Sequence, residues 1–224
     1  MTYDLEDIIS YLSQFALDKR VELMREKILN RTRYLSICVE DAFQPQNTSA
    51  ILRSAEAFGV QDIHIIETTY KYNVNPDIAL GSDKWVNMKK YPSTDRAIES
   101  LKTQGYRIVA TIPQQNATDL EHFDFTKGKS AIFFGTELTG LSKYAINHAD
   151  EYLYIPMYGF VESLNISVAA AITMYTLTTR LRNSTLNWQL AKNEQNIILL
   201  DWLKKSIRSS DMILQRFFEK HKNV

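Results

Sequence analysis

The chain has 224 residues, 45% of them hydrophobic and 23% charged, which suits one medium globular domain with appendages rather than two full domains. No apolar run approaches the roughly 18 residues of a membrane span, and the acidic opening MTYDLEDIIS lacks a basic segment followed by an apolar core, so the expected location is the cytoplasm, away from any membrane. The formal charge is zero, so the global balance does not argue for a nucleic-acid partner, and the single Cys38 cannot form an internal disulfide.

The placement of the charges says more than their sum. From Asp18 to Arg33, Lys19, Arg20, Arg25, Lys27, Arg31 and Arg33 outnumber Asp18, Glu22 and Glu26. From Arg180 to Val224 the basic residues again lead, nine to four, whereas the stretch between is net acidic. Basic arms flanking an acidic body could hold a phosphate backbone, although solvated helix faces carry similar charges.

Taken in order, 4–15 and 17–29 have apolar residues at helical spacing (Ile8, Ile9, Leu12, Phe15; Val21, Met24, Ile28) and predict a small helical hairpin ahead of the main domain. YLSICVED, from Tyr34 to Asp41, is apolar enough to be a central strand. After Pro45 a helix is expected from Asn47 to Phe58, stopped by Gly59, with Ile51, Ala55 and Phe58 toward the sheet and Arg53 well around from them. A second strand, 60–68, completes a strand-helix-strand unit, and 73–80 predicts a short helix. GSDKWVNMKKYP, 81–92, is open between a shell over the sheet and a piece of binding surface.

An amphipathic helix over 94–104 stops at Gly105 and leads to the strand YRIVAT, 106–111; SAIFFG, 130–135, is the next strand and breaks at Gly135. YLYI, 152–155, is another, followed by a polar-edged loop, 156–164, and a long apolar-striped helix opened by Asn165, with Ser163 and Asn165 placed to cap its first turn. Three strand ends, at Thr111, Gly135 and Ile155, thus open into loops, and in a parallel sheet such ends share the edge where ligands bind. After Arg182 a polar stretch marks a boundary, and one or two more helices follow to the end. The expected organisation is 1–33, a helical extension; 34–183, the α/β domain; and 184–224, a second helical extension.

No G-x-x-x-x-G-K-[ST] and no G-x-G-x-x-G is present, which excludes a phosphate-loop or dinucleotide reading. His64, His122, His148 and His221 are scattered, so no metal is expected.

Three stretches, FQPQNTSAILRSAEAFG (43–59), AIFFGTELTGLS (131–142) and YLYIPMYGFVESLNISVAAAITMYTL (152–177), together resemble in order and spacing the SpoU-TrmH family of RNA ribose 2′-O-methyltransferases, within the SPOUT superfamily. The resemblance covers residues 34–182. It implies an α/β fold with a largely parallel sheet whose C-terminal part is threaded into a trefoil knot, and S-adenosylmethionine held at Thr111, Gly135, Ile155 and Leu164, largely through backbone groups. It also implies that Arg53 acts on the ribose 2′-hydroxyl, that Asn47, Ser163 and Asn165 arrange it and the target nucleotide, and that Glu137 stands beside the pocket. Relatives often read G-N-E-G-x-G where this chain has G-T-E-L-T-G, 135–140. The resemblance further implies a homodimer and, from the appendages, the branch that modifies a D-loop guanosine of tRNA. The same chemistry on rRNA, and a non-catalytic RNA-binding or assembly factor, are the competing readings.

Overall fold

The computed structural model describes residues 4–221 except 43, 70, 114–116 and 137, with only the backbone of 220 and 221. The chain divides into two compact units, residues 32–188 and residues 1–31 with 189–224.

The larger unit is built on a seven-stranded sheet in the order β3-β2-β1-β6-β4-β7-β5, every pair parallel. The strands are β1 (Leu35–Glu40), β2 (Asp62–Ile66), β3 (Asn87–Tyr91), β4 (Arg107–Thr111), β5 (Thr118–Asp119), β6 (Ser130–Phe134) and β7 (Glu151–Tyr154). β1 and β6 are buried along their whole length because helices cover both faces of the sheet. Alternate residues feed two cores. Leu35, Ile37, Val39, Val109, Ile132 and Phe134 pack on one face, while Cys38, Ile108, Ala110, Ala131 and Phe133 pack on the other.

On the first face lies the helix after β1, Pro45–Phe58, through Ile51, Leu52 and Ala55, beside the long helix Ile166–Arg182, through Ala170, Met174, Leu177 and Leu181. The helix Thr94–Thr103 covers the second face with Ala97, Ile98 and Leu101, next to the short helix Lys143–Asn147. The first of these begins at Pro45 rather than the expected Asn47, because a proline in the first turn has no N–H to leave unpaired and its φ is already helical. It ends at Gly59, whose φ of +76° is left-handed.

The undecided segment 81–92 contains β3, an edge strand. Its lysines are engaged locally: Lys89 Nζ donates to Ser100 Oγ at 3.1 Å and Lys90 Nζ to Glu67 at 2.6 Å. Exposed lysines on an edge also discourage a further strand from pairing there. Arg180 donates to the carbonyls of Leu120 and Phe123 at 2.9 and 2.8 Å, and Arg182 to that of Phe58 at 2.8 Å. These two arginines, counted above with the basic C-terminal arm, therefore hold the sheet unit together. That unit runs on to Trp188, because Leu186 and Trp188 pack against its core.

The smaller unit joins both ends of the chain. Helices Leu5–Ser13 and Asp18–Ile28 pack with Lys192–Ser206 and Ser210–His221, so the N-terminal hairpin and the C-terminal helices form one body instead of two appendages. Ile9, Leu12, Val21, Met24, Ile28, Ile198, Leu199, Trp202, Leu203 and Phe217 are buried in the protein. Asn196 reaches Glu6 at 3.1 Å, and the Arg31 guanidinium stacks 5.2 Å over Trp202. Phe15, assigned to the first helix's apolar stripe, is half exposed, as it follows that helix. Among the described residues, no helix is long and apolar enough to cross a membrane.

One buried group makes stability depend on pH. His64 on β2 is 3% exposed, with Nδ1 3.0 Å from the Tyr91 hydroxyl. Burial, aided by Lys89 and opposed by Asp62, lowers its pKa to about 4. An unfolded chain protonates its imidazole near pH ~6.5. The neutral ring's contribution is therefore complete above about pH 6.5 and is lost as the pH falls toward 4, about 3 kcal/mol in all. In urea unfolding, the stability difference between the native protein and His64→Gln is expected to shrink by that amount between about pH 7.5 and pH 4; a pH-independent difference would contradict the assignment.

Candidate active site

The sheet order puts the carboxyl ends of β6, β4 and β7 side by side, so Gly135, Thr111 and Ile155 stand at adjacent strand ends on one edge. Thr111 Oγ1 donates to the Phe133 carbonyl at 2.7 Å, which ties β4 to β6 and turns this hydroxyl into the sheet. Ile155 and Leu164, at the two ends of the loop that follows β7, are both half-buried.

Gly135 admits no side chain. A Cβ there would lie 2.1 Å from the Gly140 carbonyl carbon and 2.2 Å from the Leu141 nitrogen, and both are backbone atoms that cannot swing away. The chain leaves β6 at Gly135, turns, and closes on itself through reciprocal 3.0 Å bonds between Thr136 and Gly140. The Thr136 hydroxyl accepts from the Thr139 N–H at 3.0 Å and meets the Thr139 hydroxyl at 2.8 Å. The departure from the commoner motif thus keeps a closed turn, with Thr136 as its internal brace and Leu138 exposed at the tip. Glu137, also expected at the site, lies outside the described residues.

The first and third motifs meet through a pair of amides. Asn165 caps the long helix Ile166–Arg182: its Oδ1 accepts from the Ser167 N–H at 2.8 Å and the Ser167 hydroxyl at 2.6 Å. With the oxygen so occupied, Nδ2 is free to donate, and it reaches Asn47 Oδ1 at 3.2 Å. Asn47 lies in the first turn of Pro45–Phe58 and is 8% exposed. The two helices pack against each other, which brings together residues 118 apart in sequence. Ser163 does not cap this helix as the sequence suggested. It is exposed and its side chain has no hydrogen-bond partner among the described residues, because Asn165 already fills the capping position.

Arg53 stands apart from this pair within one chain. Six residues along an α-helix amount to about 9 Å of rise and about 120° of rotation, so Arg53 and Asn47 leave different faces. Arg53 is exposed and makes no ion pair or hydrogen bond among the described residues. The sequence gives no local signal for the meeting of Asn47 with Asn165, since neither periodicity nor capping rules relate two helix starts so far apart. Among the described residues no group of three or more His, Cys, Asp or Glu side chains is arranged to hold a metal ion.

The profile of the SpoU rRNA Methylase family matches residues 34–175, which include the first two motifs and all but the last two residues of the third. The chain is 44% identical to the tRNA (guanosine(18)-2′-O)-methyltransferase of Borreliella burgdorferi over 95% of its own length and 97% of that protein. It is 34% identical to the Escherichia coli protein of the same name over 79% of this chain and 78% of the other. Among solved structures, the A. aeolicus TrmH/SpoU tRNA modifying enzyme superposes with a TM-score of 0.75 at 30% identity, covering 85% of this chain and 98% of that one. The SpoU methyltransferase AviRb from Streptomyces viridochromogenes, in complex with AdoMet, shares the fold with a TM-score of 0.62 at 22% identity over 71% of this chain and 65% of that one. With a profile match over most of the sequence, and relatives above 30% identity along most of both lengths, the chain belongs to the SpoU methylase family.

Proposed function

We propose that this protein transfers a methyl group from S-adenosylmethionine to the ribose 2′-hydroxyl of a D-loop guanosine in tRNA. The observation that carries the reading is the Asn165–Asn47 bond, which joins two of the three motifs beside the carboxyl edge of a parallel sheet. The relatives' names supply the substrate, tRNA guanosine 18. A tRNA substrate fits the cytoplasmic location expected from the sequence.

The edge suits the methyl donor. A flat adenosyl group needs close backbone approach, which the strand ends at Thr111, Gly135 and Ile155 would offer; the missing side chain of Gly135 serves the turn itself, because its Cβ position is filled by the Gly140 and Leu141 backbone. Leu164 and Ile155, both half-buried, would give apolar contact at the two ends of the same loop. With the Thr111 hydroxyl already bonded within the sheet, recognition there falls to main-chain groups. When bound, the donor supplies an electrophilic methyl carbon on a sulfonium.

The residues of the chain then have separable tasks. Asn47 and Asn165 fix each other, and with Ser163 they orient the target nucleotide beside the donor. Arg53 holds the adjacent phosphate and offsets the negative charge that develops on the 2′-oxygen as its proton passes to solvent water and the C–O bond forms at the expense of the donor's C–S bond, whose electron pair stays with the departing neutral sulfide. General-base chemistry suits it poorly, because a guanidinium keeps its proton at neutral pH. Glu137 belongs to the same proposal by motif position alone, as does the trefoil knot.

A homodimer completes this reading. The long helix Ile166–Arg182 is apolar on two sides: one packs on the sheet, and the other presents Val168, Ile172 and Tyr175 at helical spacing. Tyr158, Phe160 and Val161 add exposed apolar surface in the preceding loop. A second copy covering this surface could bring its own Arg53 to the Asn47–Asn165 corner. The smaller unit, whose 189–224 segment carries seven Lys and Arg against four Asp and Glu, would add phosphate contacts.

Two experiments follow. Labelled methyl transfer to separated tRNA and rRNA pools, with mapping of the modified ribose, is expected to mark tRNA. Product on rRNA alone would move the reading to the rRNA branch, and donor binding with no product on any pool would favour a non-catalytic RNA-binding protein. Arg53→Ala is expected to lower kcat by at least about 10²-fold while leaving donor affinity within a few-fold. If Arg53 serves the partner's site, a mixture of Arg53→Ala and Asn165→Ala proteins will recover activity in hybrid dimers that neither variant has alone. A mixture no more active than its parts would place Arg53 in its own subunit's site or outside the site altogether.

A further inference from the structure

We infer that Glu40 is a positioning residue that holds the Gly135–Leu141 turn in shape for the methyl donor; this rests on the reading of that turn as part of the donor site. Glu40 ends β1 and is 4% exposed, which for a carboxylate is costly unless donors surround it. They do. Oε2 accepts the Ser142 N–H at 2.7 Å, and Oε1 accepts the Ser142 hydroxyl at 2.8 Å and also the Thr94 hydroxyl. A side chain that receives three hydrogen bonds is matched to a carboxylate, which accepts and does not donate.

The position of this clamp gives it its task. β1 and β6 pair in register, with Val39 opposite Phe134, so Glu40 leaves the sheet beside Gly135, where the turn begins. Ser142, which Glu40 grips by backbone and side chain, comes two residues after Gly140, where the turn closes. One carboxylate therefore anchors the far end of the turn next to its near end. Ser142 also caps the short helix that follows, accepting from the Ala145 N–H at 3.1 Å, so its hydroxyl links clamp and helix. On the other side, Asp41 takes a φ of +48° with its carboxylate accepting the Thr69 N–H at 2.7 Å. That left-handed step, which Asp tolerates better than most residues, redirects the chain toward the helix that carries Asn47. The adjacent pair Glu40 and Asp41 thus sets the second motif's turn and the first motif's helix from one strand end.

The three donors allow the loop function to be separated from a general core role. Ser142→Ala removes a bond to the turn, whereas Thr94→Val removes a bond to the start of the helix Thr94–Thr103 and leaves the turn held. By calorimetry with S-adenosylmethionine, Glu40→Ala is expected to weaken binding by at least about tenfold and Ser142→Ala by about three- to fivefold, with Thr94→Val within about twofold. At saturating donor, kcat on tRNA should fall by a smaller factor than donor affinity for each of them, since the clamp acts through the fit of the turn to the donor. Glu40→Gln should recover most of the affinity: its amide oxygen can accept the Ser142 N–H while the two hydroxyls rotate to accept from its NH2. A folded Glu40→Ala protein with native donor affinity would overturn the inference. So would Thr94→Val weakening the donor as much as Ser142→Ala, which also decides the matter if Glu40→Ala fails to fold. If the unsubstituted protein binds no donor, the functional reading falls and takes this inference with it; native binding with an unaffected Glu40→Ala overturns only the clamp.

Discussion

The pairing of β6 between β1 and β4 governs where the other parts of the sheet unit lie. It puts a strand from the middle of the chain against the first strand, and β7 then adds next to β4. All these strands run parallel, so their carboxyl ends emerge together and the loops that leave them have one edge to share. The first and third motifs are then joined by the packing of two helices on one face of that sheet, and the Asn47–Asn165 bond is the local result. The bond itself is modest, on the order of 1 kcal/mol. Its value lies in direction: Asn165 gives its oxygen to the helix start, which leaves its NH2 pointing at Asn47.

The elements that the sequence revealed were those with the strongest physical reason to look like themselves. β1, β4 and β6 are buried on both sides, so their residues form continuous apolar runs. The long helix after Asn165 announces itself by length and by a cap that the structure retains. β3 did not, because an edge strand reading NMKKY pairs on one side only and carries lysines where an interior strand would carry valines. β5, of two residues, and the helix Lys143–Asn147, of five, are too short for any periodicity to register. The union of the two chain ends in one helical unit was also hidden, since an apolar stripe says that a helix packs but not on what.

The site was legible to a different degree. Resemblance identified the residue types, and local rules placed Asn165 at a helix start; neither could say that Asn165 would bond Asn47, because that contact depends on sheet order. Local rules also gave Ser163 a capping role that Asn165 alone fills. Arg180 and Arg182 show the reverse error. In a sequence they count as free positive charge, but in the fold both are tied to backbone carbonyls, and each stacks over a ring, Phe125 and Trp188 respectively. Charge counts along a chain overstate what is available to a phosphate wherever arginine is used as a strut.

Arg53 and the outer face of Ile166–Arg182 raise one question from two directions. The arginine lies on an exposed helix face with no partner among the described residues, and the corner it is expected to serve lies on another face of the same helix. The long helix, for its part, keeps Val168, Ile172 and Tyr175 in water although its other side is fully buried, and Tyr175 meets Phe58 of the arginine's own helix at 5.8 Å between ring centroids. A lone chain would do better with polar residues there, since apolar side chains at regular helical spacing on a solvent face add nothing to folding and invite association. On the homodimer proposed above, one event would answer both features, the docking of a second copy over the exposed stripe. That docking would remove the apolar surface from water, and it would offer Arg53 a phosphate to hold in its neighbour's site.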